Sequence, residues 1–517
     1  MRLNRRKRIL ILLVLSPVFF LLLFPSIERL RGHIALTRFK RHLASRGFKL
    51  TVAEFRSPAP KGENGAPAFL RAAQQLPSNS VLVSNPPPRM QLIPSGRAII
   101  GFREDEWVEW KFTNRWSEMA EELKQNEQSL QLVRTALAKP VFDNNMDLTA
   151  GPNVSFVHLS AAKPASIWLA VQAQLRLHEG RNKEALENLI AQSSIPRFLE
   201  EDHILISELV RIAIASIART TVWEALQADG WTDAELAQLA QVWQSTTFAT
   251  NMTHDLEGEL IFGLGEYDSM RMSNSNAVNV IYGLQKFAPP DDSDRPWWER
   301  AVRFLPAGDK GADFIKEQLY CRFWRFSWID QDEVHNLQFM EGLLRLAHRA
   351  ESEKSLTAIE PALDALLEPT IRSSSYNNLR FAQVASFTVL ENALRKAMKA
   401  ETERSLILTA IALKRYSLHF GKPPDDLQSL VPEFLSSIPT DYMDGQPIKY
   451  RLEPSGTSIL YSVGEDYKDG GGDSNMQPGK TTTYNIYNIW NRKDVVWPQP
   501  ASRDEVQSFR KDKRAGK

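Results

Sequence analysis

Residues 168–192, "WLAVQAQLRLHEGRNKEALENLIAQ", decide the fold class of this chain. Apolar residues recur at three- and four-residue spacing on both sides of "EGRN", the pattern of two amphipathic helices joined by a tight turn. Gly180 stands where the first helix must end, because glycine enters a left-handed turn without steric penalty. The same periodicity continues in both directions. Trp116, Met119, Leu123, Leu130, Val133 and Leu137 predict a helix face before the hairpin, and Ile204 to Leu226 an apolar helix after it. "TDAELAQLAQVW" opens another, with Thr232 and Glu235 spaced as a capping box. Further helices are expected at 252–271, 310–330, 333–350 and 376–400. The spacing therefore predicts a mainly α protein with an irregular α-helical body over residues 113–400.

Within the hairpin, "A-x-L-x-L-x-E-G-R-x-x-E-A-L-x-x-L" at 173–189 resembles one tetratricopeptide unit. It does not recur at a fixed period, so no regular solenoid is expected. Trp168, Trp223, Trp231 and Trp243 lie on helical faces, where tryptophan is usually core.

The 517 residues carry 63 basic and 62 acidic side chains, a net charge of +1. That balance gives no reason to expect a nucleic-acid partner. Cys321 is the sole cysteine, so no intramolecular disulfide can form, and its aromatic surroundings "LYCRFWRF" predict a buried inert thiol.

At the N-terminus a basic head, "RRKR" at 5–8, precedes an apolar run from Ile9 to Ile27. As a helix, that run approaches the roughly 30 Å of a hydrocarbon core. Small residues for signal cleavage are missing, so residues 1–27 read as an uncleaved signal-anchor, the head staying cytoplasmic. Ile27, Leu30, Ile34 and Leu43, with basic residues between them, predict a juxtamembrane helix against lipid headgroups. Residues 28–112 then read as this helix, a Pro-rich linker ("SPAPKGENGAP", "SNPPPRM") and an irregular region. Short strands are expected in "MQLIPSGRAIIGF" and a solvated rim at "EDEWVEWKF". The localisation implied is a single-pass inner-membrane protein with the bulk of the chain outside the cytoplasm.

No H-E-x-x-H, G-x-S-x-G or phosphate-loop motif is present. His254 and Glu257 fall on one helix face, a single pair. The glycines of "FGLGEYD" (262–268) read as packing positions inside a helix.

At about Glu403 the pattern changes to a long helix, a Pro break and two alternating runs, "PIKYRLE" and "TSILYSV", joined by "PSG" as a β-hairpin. The sequence elements "ALKRY" (412–416), "GKPP" (421–424), "LQSLVP" (427–432), "PTDYMDGQPIKY" (439–450) and "YSVGEDYKDGGGD" (461–473) occur in an order that resembles the globular domain of the type II secretion major pseudopilin. The resemblance covers about 403–497 and implies a small α+β domain over 401–500. It also implies a calcium ion in the loop after the last hairpin strand, held by Asp466, Asp469 and Asp473 with Ser462 assisting. Asp494 of "DVVW" would be a further ligand, reached only across the insertion 474–493, which carries a strand-like run from Tyr484 to Trp490. The membrane helix lies far from this module and lacks the pseudopilin processing motif, so polymerisation as a pilin is not expected. Residues 501–517 read as a basic solvated tail.

Together these readings predict a membrane-anchored bacterial envelope protein with protein partners. Its role would be binding or scaffolding, linked to a secretion or pilus-like system. The alternative is an envelope hydrolase whose site is assembled from non-local residues of the helical body.

Overall fold

Gly180 adopts φ +71° with open space around it, so the expected turn forms, between α-helices Val157–His178 and Asn182–Phe198. The computed structural model describes residues 5–55, 62–94, 96–109, 112–148, 154–287, 314–371, 374–382, 385–480 and 488–514, with residues 5–22 described as backbone only. The chain is mainly helical. In order, the principal elements are α1 (Arg5–Ser45), α2 (Ala66–Ala73), β1 (Gln91–Leu92), β2 (Ala98–Ile99), β3 (Glu106–Glu109) and β4 (Phe112–Arg115). Then follow α3 (Trp116–Gln125), α4 (Glu127–Leu137), α5 (Val157–His178), α6 (Asn182–Phe198), α7 (Leu205–Leu226), α8 (Asp233–Gln244), α9 (Ala249–Met272) and α10 (Asn274–Phe287). The second half holds α11 (Cys321–Ser327), α12 (Ile329–Glu353), α13 (Glu360–Ile371), α14 (Ala385–Phe420), β5 (Lys449–Leu452), β6 (Ser458–Ser462), β7 (Val495–Val496) and α15 (Arg503–Arg514).

Local signals set several of these elements. Thr232 and Glu235 form the capping box that starts α8. The "PSG" hairpin pairs β5 with β6 antiparallel, Lys449 opposite Tyr461, and β7 adds to the other edge of β6. Helices α5, α6 and α7 pack on one another. Trp168, Trp223, Trp231 and Trp243 are buried among them and α8 as core, and the Cys321 thiol is buried too.

Some boundaries differ from those predicted. The face from Trp116 to Leu137 is divided between α3 and α4, because Asn126 leaves helical geometry (φ −106°, ψ 8°). Its side-chain amide donates to the Glu122 carbonyl at 2.9 Å instead. Of the helix expected over 310–330, residues 310–313 lie outside the described residues, and the remainder enters α11 through a π-helical turn, Ile315–Tyr320. "EDEWVEWKF" contributes to the β3–β4 hairpin, with Glu106 opposite Arg115. The basic tail is helical as α15, and it returns to the body through Arg97–Glu505 (3.3 Å) and Arg510–Glu104 ion pairs.

The segments expected as linkers are welded into the core. Phe69, Leu82, Met90 and Phe102 share one apolar cluster with Trp168 and Trp223. A buried carboxylate fixes that contact: Glu224 of α7 accepts the backbone N–H groups of Met90 (2.8 Å), Gly101 (3.0 Å) and Phe102 (3.3 Å). The Pro-rich stretch 57–61 lies outside the described residues.

Helix α1 shows no break where the anchor was expected to end. It runs through Pro17 and Pro25 to Ser45, and its C-terminal half docks on α12. Gly32 permits the close approach, since a Cβ there would lie 3.1 Å from the side chains of Asp330 and Gln331. Gln331 Nε2 donates to the Glu28 carboxylate at 2.9 Å, and Lys40 pairs with Glu333 at 2.6 Å. Leu43, predicted beside Ile27, Leu30 and Ile34 on a lipid face, is fully buried against the body, whereas those three are 51%, 61% and 49% exposed. Among the described residues no helix is long and apolar enough to cross a membrane; the side chains of residues 9–22 of the apolar run lie outside them.

The chain also continues without a break through residue 400. Helix α14 runs unbroken for 36 residues across it, about 54 Å at about 1.5 Å per residue. Leu394 and Met398 before that residue and Leu406 and Ile411 after it belong to the same core cluster. Trp223 Nε1 in α7 donates to the Pro498 carbonyl at 2.8 Å, tying the C-terminal region to the body.

Candidate functional site

The glycine-rich acidic loop begins where β6 ends. Ser462 is buried, and its hydroxyl donates to Asp441 Oδ1 at 2.9 Å rather than facing the loop. Asp441 also accepts the N–H groups of Met443 (3.1 Å) and Val463 (3.0 Å), with the Thr402 hydroxyl of α14 at 3.4 Å. Burial pushes the Asp441 pKa up against these bonds. Asp441 was not among the sequence candidates; the "TDYMDG" turn around it is the available signal, a short acid ahead of a glycine turn.

Each remaining candidate acid takes donors from the protein itself. Asp466 is exposed and accepts the Lys468 N–H at 3.1 Å. Asp469 accepts the Tyr461 hydroxyl and the Gly471 N–H, both at 2.9 Å. Asp473 binds Lys493 Nζ at 2.9 Å and the Asn475 N–H at 3.0 Å, and its pKa falls, chiefly through Lys493. Asp494 is fully buried and gathers three backbone N–H groups: Gly470 (3.2 Å), Gly472 (2.7 Å) and Asp473 (2.6 Å). Burial raises its pKa while those N–H groups oppose the rise.

The insertion is pinched at its base, which is how Asp494 reaches the loop. Backbone pairs join Asp494 to Asp473 (3.0 Å), Lys493 to Asn475 (2.9 Å) and Gln477 to Asn491 (2.9 Å). Of the strand-like run expected inside it, Tyr484–Tyr487 lie outside the described residues and Ile489–Asn491 form a 3₁₀ turn.

This arrangement does not fit a calcium cage. Ser462 is committed to Asp441, and Asp494 faces three N–H groups whose partial positive charge opposes a cation beside them. Among the described residues no group of three or more His, Cys, Asp and Glu side chains could hold a metal ion. The glycines serve the opposite charge. A Cβ on Gly470 would lie 2.7 Å from Asp494 Oδ2, so its absence lets successive amides close on the carboxylate as an anion nest.

A second cluster forms in the helical body. His254 and Glu257 of α9 stand 3.8 Å apart, and His203 joins them from the α6–α7 connection, its ring centroid 6.0 Å from that of His254. His203 lies 3.6 Å from Glu201 and 3.8 Å from Asp255. Gly258 makes the approach possible, because any Cβ there would run into the His203 carbonyl oxygen. Gly263 of "FGLGEYD", expected to mediate packing, faces open space instead. Burial lowers the His203 pKa, but the nearby carboxylates of Asp255 and Glu201 outweigh it and push it up to about 9. His203 is therefore an imidazolium at neutral pH. Asp255 in turn is raised by burial and by nearby Glu208, whose own partner is the buried Arg211 at 2.5 Å.

The cavity beside this cluster, lined by Arg46, Lys49, Glu257 and His348, measures about 130 Å³, below the ~300–1,000 Å³ of small-molecule sites. A larger cleft of about 430 Å³ lies between α3–α4 and α5–α6. Its central Arg134 is committed to Glu127 (2.6 Å), Gln172 (2.7 Å) and Asn188 (3.0 Å).

Comparison with protein-family models, with curated proteins and with solved structures returned no match.

Proposed function

We propose that this chain is a membrane-anchored protein of the bacterial envelope, single-pass in the inner membrane, whose extracytoplasmic body binds or scaffolds protein partners. A secretion or pilus-like assembly is the setting that the C-terminal resemblance suggests. The observation that supports this reading is the continuity of α1, which joins the apolar run to a body docked along its C-terminal half. A helix so fixed would hold the body at a set height and angle, which suits a scaffold. The test is alkaline carbonate extraction of membranes carrying the full chain, with protease protection. The chain should stay in the pellet and be cleaved only from the outer face; release by carbonate would overturn the anchoring.

A second reading, an envelope hydrolase, is favoured by the convergence of His203, His254, Glu201, Asp255 and Glu257. It ranks second because an imidazolium with a pKa of about 9 is a poor general base at neutral pH. Hydrolytic turnover that disappears in His254→Ala, with folding intact, would reverse that ranking.

A further inference from the structure

From the last turns of the apolar run to beyond its end, α1 keeps an apolar stripe uncovered. Leu23, Ile27, Leu30 and Ile34 follow one another at four-, three- and four-residue spacing and are 37–61% exposed, with Phe24 beside them. The stripe continues sideways onto α11, where Phe326 is exposed and lies under the Arg29 guanidinium at 4.8 Å. The opposite face of the same helix, with Glu28, Gly32, Leu36 and Leu43, is buried on the body. One side of α1 therefore serves the protein, and the other is uncovered among the described residues.

Two occupants suit a stripe of this spacing: the seam of a second copy, or lipid. Charge decides between them. Between residues 5 and 45 the only acid is Glu28, which is 3% exposed and turned to the body. The exposed basic side chains beside the stripe are Arg31, Arg38 and Arg41, so two parallel copies would set basic flanks against each other. Anionic headgroups meet the same flanks favourably. The helix is also unbroken from the apolar run into the stripe. Leu30 and Ile34 lie about 4 and 10 Å beyond Ile27 along the axis. A tilted spanning helix brings that range into a headgroup layer roughly 5–8 Å thick.

We propose that Leu23, Phe24, Ile27, Leu30 and Ile34 of α1, continued by Phe326, form a lipid-contacting face that seats the body directly on an anionic membrane surface. This rests on the anchoring reading and deepens it: the body has no flexible tether and lies against the headgroups.

The buried Cys321 allows a site-directed probe. Full-length Ile34→Cys, labelled with an environment-sensitive fluorophore, is reconstituted into phosphatidylethanolamine–phosphatidylglycerol vesicles. Leu132→Cys, on the exposed face of α4, is the control. Expected are a blue shift at position 34, quenching by headgroup-nitroxide lipid, and iodide quenching at least about twofold weaker than at position 132. In Arg38→Glu/Arg41→Glu the blue shift should shrink, and its dependence on phosphatidylglycerol should be lost. A chain that floats with vesicles while position 34 behaves like position 132 overturns this inference and leaves the anchoring intact. A chain that does not float overturns both. A blue shift that follows protein concentration, with efficient disulfide crosslinking between the unlabelled Ile34→Cys thiols of two chains, assigns the stripe to a second copy and overturns the lipid assignment.

Discussion

Replacing Asp441 by alanine should loosen the C-terminal region and the helical body together. The carboxylate accepts from Ser462, Met443 and Val463 at 2.9–3.1 Å, with Thr402 of α14 at 3.4 Å, and is itself fully buried. Alanine leaves two backbone N–H groups and a hydroxyl without an acceptor, each worth about 1–3 kcal/mol when buried. Relief of the carboxylate's own desolvation, visible in its raised pKa, offsets part of this. A net loss of about 3–5 kcal/mol follows. Asp441→Asn keeps one acceptor and should lose about half as much. The assay is urea unfolding followed by circular dichroism, with hydrogen exchange resolved by segment. Because α14 carries the shared apolar cluster across residue 400, protection should fall in β5–β6 and in α5–α7 alike. A midpoint change equivalent to less than about 1 kcal/mol would refute the bonding argument. Exchange that rises only over 439–497 would refute the shared core.

Gly258→Val should destabilise the chain by more than about 3 kcal/mol, since the His203 carbonyl occupies the space its Cβ needs; a melting temperature within a degree of wild type would contradict this. Stability should fall as pH rises from 5 to 9. Burial holds Glu224 up to about 7 and Glu266 up to about 8, so the native state binds those protons more tightly than the unfolded chain, and stability declines as each is lost. His203, raised from 6.5 to about 9, contributes stability that is present below 6.5 and lost as pH climbs through about 9. All three have one sign, so a melting temperature at pH 9 equal to that at pH 6 would defeat the argument. EGTA should leave the melting temperature of the full chain unchanged, whereas Asp494→Ala should lower it by several degrees, because three backbone N–H groups lose their acceptor. A drop with EGTA that calcium reverses would restore the cation.

What could be read from the sequence was local. Gly180, the Thr232–Glu235 box and the "PSG" hairpin each act within a few residues, so their chemistry is complete in a short window. Contacts made by buried carboxylates across the chain were not legible. Glu224 reaches residues 90–102, and Glu401 accepts the Phe248 and Ala249 N–H groups at the start of α9, 2.7 and 3.4 Å away. Nothing beside either glutamate names a partner some 120 to 150 positions off, and such contacts run across the positions 112 and 400 where the sequence pattern changes. The acidic loop was ambiguous for a different reason. Glycine lets a backbone close around a small ion of either sign, and the sign depends on whether carbonyls or amides turn inward. "KDGGGD" is compatible with both. The deciding residue is Asp494, delivered across an insertion whose pinched base has no sequence signature. Once a buried carboxylate occupies the centre, the amides must face in, and the nearby acids are left with Tyr461, Lys493 and exposed turn amides. The same string of glycines and aspartates that suggests a cation site is, with that carboxylate in place, a device for burying a negative charge.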